Sequence, residues 1–200
     1  MPALGLGDMA GEITLLARAW RVATVRHVDH RRKGERAEPY VNHLAEVADL
    51  VAEATNGSDA NLVAAAVLHD TIEDTGSTYG ELEAEFGSDV ADLVAEVTDD
   101  TQLTNSERKR LQIEHAGRKS TLAKLLKLAD KTSNLRSIAN SPPTDWSENR
   151  KQRYLSWARE VVAELRGVNV WLEGQFDEAA CHLDQILTNP AMSSSSLDER

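Results

Sequence analysis

Apolar residues recur at helical spacing along most of the chain, and no segment shows the alternation of a half-buried strand. The first predicted helix carries an apolar stripe of Ile13, Leu16, Trp20 and Ala23. Residues three and four positions apart share one face of a helix, so this spacing marks a buried face. The same spacing continues through most of the chain without a two-residue hairpin signal. The pattern therefore predicts an all-α fold.

Two of the predicted helices place titratable residues on an apolar face. The second helix begins near Pro39, which suits a first helical position, and its apolar face consists of His43, Val47, Leu50 and Ala54. The third carries the stretch AAAVLHDTIED, residues 64–74, and should stop near Gly76, a residue suited to a left-handed cap. His69 and Asp70 then project from positions where alanine and valine project one turn earlier.

The remaining segments also read as helices. Thr78 and Glu81 form a capping-box pattern for a short helix through Phe86, and a further helix runs from Ser88 to about Val97. A basic helix contains ERKRLQIEHA, the next contains TLAKLLKLADKTSNLRSI, and two amphipathic helices follow the breaker SPPTDW. We expect residues 1–11 to be a flexible N-terminus, 12–188 to form one domain, and 189–200 to be a disordered tail.

Composition narrows the class of protein. With 200 residues, 41% of them hydrophobic, and no Gly/Pro-rich divider, the chain suits one domain with a sizeable core. A net charge of −11 opposes nucleic-acid and anionic membrane partners, although a local basic cluster or a metal still allows a small anionic ligand. The chain has no long apolar run and a single cysteine, Cys181, so we expect a soluble cytoplasmic protein.

The titratable residues of the third helix indicate a divalent metal. An ionised carboxylate buried without a partner costs several kcal/mol, so Asp70 beside His69 requires a cation, a hydrogen-bond network or water. Two adjacent ligands cannot complete a coordination shell. His43 and Asp130, which follows Leu126 by one turn of a leucine-rich helix, are the candidates for the others. The alternatives are a hydrogen-bonded core histidine at position 43 and an Asp130 paired with a neighbouring lysine.

Four motifs carry a family resemblance in their order along the chain: PYVNH, VLHDTIEDTGST, VAEVTDD and KLADKTSNLRSI. With RRK ahead of the first and ERKRLQ before the last, they resemble the HD-domain hydrolase region of RelA/SpoT proteins. The match runs from about Arg31 to Leu187 and has no synthetase or regulatory region. The chain is most similar to the stand-alone small alarmone hydrolases of the metazoan SpoT homologue type.

The resemblance implies a single HD-domain helical bundle that holds one Mn²⁺ and removes the 3′-diphosphate of ppGpp or pppGpp as pyrophosphate. The implied metal ligands are His43, His69, Asp70 and Asp130. Glu73 and Asp74 match the pair that orients and deprotonates the attacking water, while Arg32, Lys33 and Asn134 match nucleotide contacts. One departure is Ser133, which stands where members often carry an aromatic residue, so the shape of the nucleotide pocket is expected to differ.

Other interpretations remain open at the level of sequence. The same scaffold could remove the 2′-phosphate of NADPH or cleave an adenine alarmone, or it could bind an alarmone without turnover. As compositions alone, HRRKGER reads as a solvated loop and ERKR as an exposed helix face. His27, His30, His115 and His182 match no role, and Trp146 and Trp157 are expected to pack the last helices.

Overall fold

The structure, a computed structural model, describes residues 6–189, and those residues form ten helices joined by short loops. The helices are α1 (Leu6–Arg26), α2 (Val41–Thr55), α3 (Ala60–Leu68), α4 (Thr71–Thr75), α5 (Tyr79–Phe86), α6 (Ser88–Val97), α7 (Asn105–Ala116), α8 (Thr121–Asn140), α9 (Glu148–Ala163) and α10 (Val170–Thr188). Within this range there are only two isolated β-bridges and no extended strand. The predicted all-α class is confirmed.

Local sequence signals account for several helix ends. Asp59, Thr78, Thr104, Ser120, Ser147 and Asn169 all accept a backbone N–H from the first turn of the helix that follows. Each cap satisfies one of the amides that the first turn leaves unpaired. The predicted capping box of Thr78 and Glu81 is present, and Gly76 has φ 72° as expected of a left-handed cap.

Three boundaries differ from the sequence prediction. Helix α1 begins at Leu6, inside the segment 1–11 that was expected to be flexible, while the expected tail from 190 onward lies outside the described residues. Helix α2 begins at Val41, because Pro39 and Tyr40 form the turn before it. The predicted single helix through residue 75 is wrong: α3 ends at Leu68, and α4 starts at Thr71 after a two-residue turn.

Helix α8 is the central element of the bundle. It packs against α2, α6, α9 and α10, and twelve of its twenty residues are buried. Helix α3, which is apolar nearly all round, packs between α1, α2 and α6. Because α2, α3 and α8 lie in the interior, polar side chains on their facing surfaces meet inside the core. None of the helices in the described range is sufficiently long and apolar to cross a membrane.

The segment between α1 and α2, residues 27–40, is anchored to the loop that follows α8. Gly34 passes so close to Ser141 that a Cβ at this position would overlap the serine. The backbone N–H groups of Glu35 and Arg36 donate to Pro142 O and Ser141 Oγ at 3.1 and 3.2 Å. The basic segment therefore has a fixed position, instead of forming the freely solvated loop that its composition suggests.

Candidate functional site

The turn between α3 and α4 places His69 and Asp70 at the inner end of α3. Asp70 leaves helical geometry with φ −96° and ψ 0°, and its Oδ2 accepts a hydrogen bond of 2.6 Å from the Tyr40 hydroxyl. The His69 Nδ1–H donates to Ala66 O at 2.8 Å, one turn back along α3. In the neutral ring this bond leaves the lone pair on Nε2, which is the nitrogen that faces the interior.

Four side chains from three elements converge beside this turn. His43 Nε2 lies 3.7 Å from Asp70 Oδ2 and 3.5 Å from Asp130 Oδ1. His69 Nε2 lies 3.0 Å from Asp70 Oδ2 and 4.0 Å from Asp130 Oδ1. Ligand atoms of His43, His69 and Asp130 all fall within 4.8 Å of one another, and these three residues are buried. The structure thus brings together all four residues that the sequence prediction named as metal ligands.

One buried nitrogen of this group lacks a hydrogen-bond partner. His69 Nε2 is buried and has no hydrogen-bond partner among the described residues, although Asp70 Oδ2 is only 3.0 Å away. The two atoms are close without being aligned for a hydrogen bond, which is the arrangement expected of two ligands that share a cation. Two imidazoles and two carboxylates suit a hard or borderline divalent ion. The His/Asp group can therefore bind a metal.

The His43 ring is held from its other side. His43 Nδ1 lies 2.8 Å from Ser133 Oγ, and that hydroxyl donates to Glu46 Oε2 at 2.6 Å. Glu46 in turn accepts from Arg136 at 3.1 Å. A metal-binding histidine commonly has its second nitrogen fixed by such a partner.

Electrostatics in the absence of an ion agree with this arrangement. Burial lowers the pKa of His69, but the neighbouring Asp70 and Asp130 outweigh it and raise that pKa to about 9. Burial favours protonation of Asp130, yet Lys131 and the two histidines hold the pKa of this carboxyl well below its usual range. Lys131 Nζ lies 2.9 Å from Asp130 Oδ2. The sequence alternative of a lysine partner thus holds for one oxygen of Asp130, and the other oxygen faces the histidines.

Glu73 lies on α4 and is held by two donors. Its Oε1 accepts from Arg108 Nη1 of α7 at 2.9 Å, and its Oε2 accepts from the backbone N–H of Asp99 at 3.3 Å. Burial and the Asp99 carboxylate raise the pKa of Glu73, against the lowering effect of the Asp99 N–H and of Lys127. A carboxylate with a raised pKa is a better proton acceptor. The geometry is therefore compatible with the predicted role of Glu73 as a base.

Asp74 lies on the outer side of Tyr40, together with His27 and His30. Ligand atoms of these three residues also fall within 4.8 Å of one another, so they form a second group that could hold a cation. The Nδ1 atoms of the two histidines are 3.0 Å apart, close enough for one to donate to the other, and Asp74 is exposed. Burial lowers the pKa of His27 to about 4, and the ring stacks on Tyr40. The two imidazoles contact each other only through Nδ1, and His27 Nε2, like His69 Nε2, is buried without a hydrogen-bond partner among the described residues. The exposure of Asp74 is what distinguishes this group from the buried one.

A pocket of about 320 Å³ opens beside the buried His/Asp group. Its cationic lining residues are Arg31, Arg32, Lys33, Lys109 and Arg150, and none of the described residues lining it is acidic. Its aromatic walls are Tyr40, Trp146 and Tyr154. The Arg150 guanidinium lies 4.4 Å from the centre of the Trp146 ring. The pocket combines positive charge with flat apolar surface, which suits an anionic ligand that carries an aromatic ring.

Asn134 connects the pocket to the buried group. Its Oδ1 accepts from Arg32 Nη2 at 3.0 Å, and its Nδ2 donates to Asp130 Oδ1 at 2.5 Å. Arg32 also lies 5.7 Å from the centre of the Tyr40 ring. Arg32, Lys33 and Asn134, which sequence reasoning named as nucleotide contacts, all line this pocket. They lie where a ligand of the pocket would meet the His/Asp group.

Sequence reasoning missed several residues of the site. Tyr40 lies inside the PYVNH motif and was not assigned a role, and Arg108 was treated as part of an exposed helix face. Trp146 packs against the core beside Tyr154 of α9, as expected, and it also lines the pocket. Trp157 of α9 packs against α7, as expected, and donates to Lys109 O at 3.1 Å. Aromatic residues at helical spacing are equally typical of a core and of a pocket wall, so their spacing does not separate the two. His115 and His182 are exposed, as befits residues without a role.

Comparison with known proteins adds three findings. A family model described as an HD domain matches residues 16–164. The guanosine-3′,5′-bis(diphosphate) 3′-pyrophosphohydrolase MESH1 of Xenopus tropicalis is 47% identical over 84% of this chain and 94% of its own, and that of Homo sapiens is 45% identical over 88% and 96%. A solved structure described as "A metazoan ortholog of SpoT hydrolyzes ppGpp and plays a role in starvation responses" superimposes with a TM-score of 0.80 at 43% identity, covering 82% of this chain and 93% of that one.

Proposed function

This chain belongs to the HD-domain family and, within it, to the MESH1 group, and on that basis we propose that it hydrolyses the 3′-diphosphate of ppGpp and pppGpp. The products are pyrophosphate and GDP or GTP. In this reaction the water oxygen bonds to the phosphorus attached to the ribose 3′-oxygen, that P–O bond breaks, and the 3′-oxygen takes up a proton.

The observation that carries the proposal is the continuity between the pocket and the His/Asp group. Asn134 bonds to both Arg32 and Asp130, so a nucleotide whose base and ribose lie in the pocket would extend its 3′-phosphates toward His43, His69 and the two aspartates. The pocket of about 320 Å³ is at the lower end of the range for small-molecule sites. The proposal therefore draws on both parts of the site, the pocket that would hold the base and ribose and the His/Asp group that would face the 3′-phosphates.

Charge supports a polyanionic substrate. The chain as a whole carries −11, yet five cationic side chains line this one pocket. A cleft lined by one sign of charge raises the local concentration of a ligand of opposite charge. The Lys109 Nζ lies 4.7 Å from the centre of the Trp157 ring. The Arg150 guanidinium lies in the same way over the Trp146 ring. They are placed to contact the phosphates of a nucleotide.

We propose Mn²⁺ as the resident ion, held by His43, His69, Asp70 and Asp130. A divalent ion bound there supplies an acidified water and screens the negative charge of the phosphates. Glu73, held by Arg108 and the Asp99 N–H, accepts the proton of the attacking water, and Asp74 orients that water. Tyr40 donates to Asp70 and keeps this carboxylate in position. Arg32 and Lys33 hold the nucleotide in the pocket.

The proposed substrate agrees with a cytoplasmic protein. Guanosine nucleotides are solutes of the cytoplasm, where the lone, exposed Cys181 would stay reduced. The net charge of −11 makes a duplex nucleic acid an unsuitable substrate for the same pocket, because long-range repulsion opposes its approach.

The proposal is tested with a panel of substrates. Protein loaded with Mn²⁺ is incubated with ppGpp, pppGpp, ppApp and NADPH, and the products are separated by ion-exchange chromatography; His69→Ala protein serves as the control. We expect pyrophosphate and GDP or GTP from the guanosine substrates, with a higher kcat/KM than for the others. Three outcomes would contradict the proposed activity and favour another function: release of phosphate from NADPH alone, faster cleavage of ppApp, or tight binding of ppGpp without products.

A further inference from the structure

We propose that Ser133 and Glu46 are positioning residues, which fix the ring tautomer of His43 so that its Nε2 is available to a metal. This inference rests on the proposed metal centre, and it concerns two residues that neither the motifs nor the site chemistry assigns. Each of the two follows a proposed ligand on the same helix by three positions: Glu46 follows His43 on α2, and Ser133 follows Asp130 on α8. Residues at this spacing lie one turn apart on one helix face.

The direction of the hydrogen bonds follows from the donors available. Ser133 has one hydroxyl proton, and the bond from its Oγ to Glu46 Oε2 is 2.6 Å long. A bond to a carboxylate is about twice as strong as one to a neutral acceptor, so this proton goes to Glu46. The Oγ can then only accept at its 2.8 Å contact with His43 Nδ1. His43 therefore carries its proton on Nδ1.

The tautomer has a consequence on the opposite side of the ring. With the proton on Nδ1, the lone pair of His43 is on Nε2, the atom that lies 3.5 Å from Asp130 Oδ1 and 3.7 Å from Asp70 Oδ2. Without the serine, the ring could instead protonate Nε2 and donate to one of these carboxylates. That tautomer has no lone pair to offer a metal, so it would compete with metal binding.

The chain of contacts is anchored beyond Glu46. Arg136 Nη1 donates to Glu46 Oε1 at 3.1 Å, and Arg136 Nη2 donates to Gln175 of α10 at 2.6 Å. Three helices thus hold the carboxylate that orients the serine. Ser133 and His43 are both buried, although together with Glu46 and Arg136 they line a cavity of about 370 Å³.

The first arm of the test measures metal affinity by competition with a chelator. Ser133→Ala and Glu46→Ala should each weaken Mn²⁺ binding by roughly 10–100-fold, the usual cost of losing such a partner. The double variant should be little worse than either single variant, because the two residues act through one contact. Ser133→Thr keeps a hydroxyl and should restore affinity. Thr132→Val is the matched control, since it removes a buried hydroxyl of the same helix that bonds only to Leu128 O.

The second arm first reads the tautomer without metal or substrate, and then measures turnover at saturating metal. The nitrogen chemical shifts of the His43 ring in metal-free protein should show Nδ1–H in the parent and a shift toward Nε2–H in Ser133→Ala. At saturating Mn²⁺ the variant should regain a kcat within about threefold of the parent, because the residue acts through metal occupancy.

Parent-like affinity and tautomer in Ser133→Ala would overturn the inference, as would additive losses in the double variant or a parent that binds no divalent ion. A parent that binds Mn²⁺ but leaves ppGpp intact would instead refute the proposed activity and leave both measurements valid.

Discussion

Replacing Glu73 by glutamine should abolish most of the hydrolysis while the metal group stays intact. Glu73 lies on α4, one turn beyond the His69–Asp70 turn, and its two oxygens accept from Arg108 and from the Asp99 N–H. Glutamine has nearly the same volume and retains an oxygen that can accept from Arg108. The substitution therefore removes the proton acceptor and the hydrogen bond from the Asp99 N–H, and it leaves the His/Asp group unchanged.

The magnitude of the effect on rate differs sharply from the effect on stability. A general base contributes roughly 10²–10⁴ in rate, which is about 2.7–5.4 kcal/mol of transition-state stabilisation. The ion pair between Glu73 and Arg108 has side chains 21% and 26% exposed, so it lies between an exposed pair, worth about 0–1 kcal/mol, and a buried pair, whose breaking costs about 3–5 kcal/mol. Because glutamine keeps an oxygen for Arg108, the loss of folding free energy should fall toward the lower figure. Burial also raises the pKa of Glu73, so the folded state disfavours the ionised form above that pKa. Removing the charge at neutral pH offsets part of the lost ion pair.

The assay combines single-turnover hydrolysis of ppGpp, metal content and thermal unfolding on the same preparations. Glu114→Gln is the matched control, because Glu114 pairs with Arg110 at 2.6 Å on the exposed side of α7, the helix that carries Arg108. That variant should keep the parental rate. A Glu73→Gln protein that turns over like the parent would exclude Glu73 as the base. A variant that loses its metal would show that the carboxylate supports the ligand group instead.

Three further outcomes are expected. Mn²⁺ at 100 times its Kd should raise the unfolding free energy of the parent by about 2.7 kcal/mol, which corresponds to roughly 5–11 °C in the thermal midpoint; an Asp70→Ala variant that responds equally would contradict the ligand set. Arg32→Ala should raise KM for ppGpp roughly tenfold and affect kcat less, because it holds the nucleotide in both ground and transition states; an unchanged KM removes it from the site. Arg108→Met removes the cation beside Glu73, so the pKa of that carboxyl should rise. The acid limb of the kcat/KM profile should then move up by about 1–2 pH units, which a series of rate measurements at different pH values would show. An unmoved limb would mean that another group controls it.

Secondary structure followed from the sequence wherever local interactions decide it. The capping box of Thr78 and Glu81 and the left-handed Gly76 are set by neighbours within four residues, and both are present as predicted. The turn at His69 and Asp70 is different. Nothing in AAAVLHDTIED breaks a helix, and the contact that holds Asp70 outside helical geometry comes from Tyr40, thirty positions away. A distant contact of this kind has no signature in the local sequence.

The site residues that could be predicted from the sequence are those that are unusual in their surroundings. His43 and Asp130 are polar residues on apolar helix faces, which demands an explanation, and the structure brings them together with His69. Arg108, Trp146 and Tyr154 suit a surface or a core as well as they suit a pocket. The basic segment around Arg32 owes its fixed position to the close approach of Gly34 and Ser141, and no composition predicts that approach.

The distribution of charge explains how a strongly acidic chain can serve a polyanionic substrate. Asp70, Glu73, Asp74 and Asp130 would by themselves repel phosphates, and Asp70, Glu73 and Asp130 each have a local counterpart in the structure. Two face histidines across the proposed metal position, Glu73 pairs with Arg108, and Asp130 also pairs with Lys131. The cations of the pocket stand apart from these carboxylates, with aromatic rings beneath them. In the proposed complex the nucleotide would thus meet positive charge along the pocket, and the carboxylates would act only at the end where the phosphate reacts.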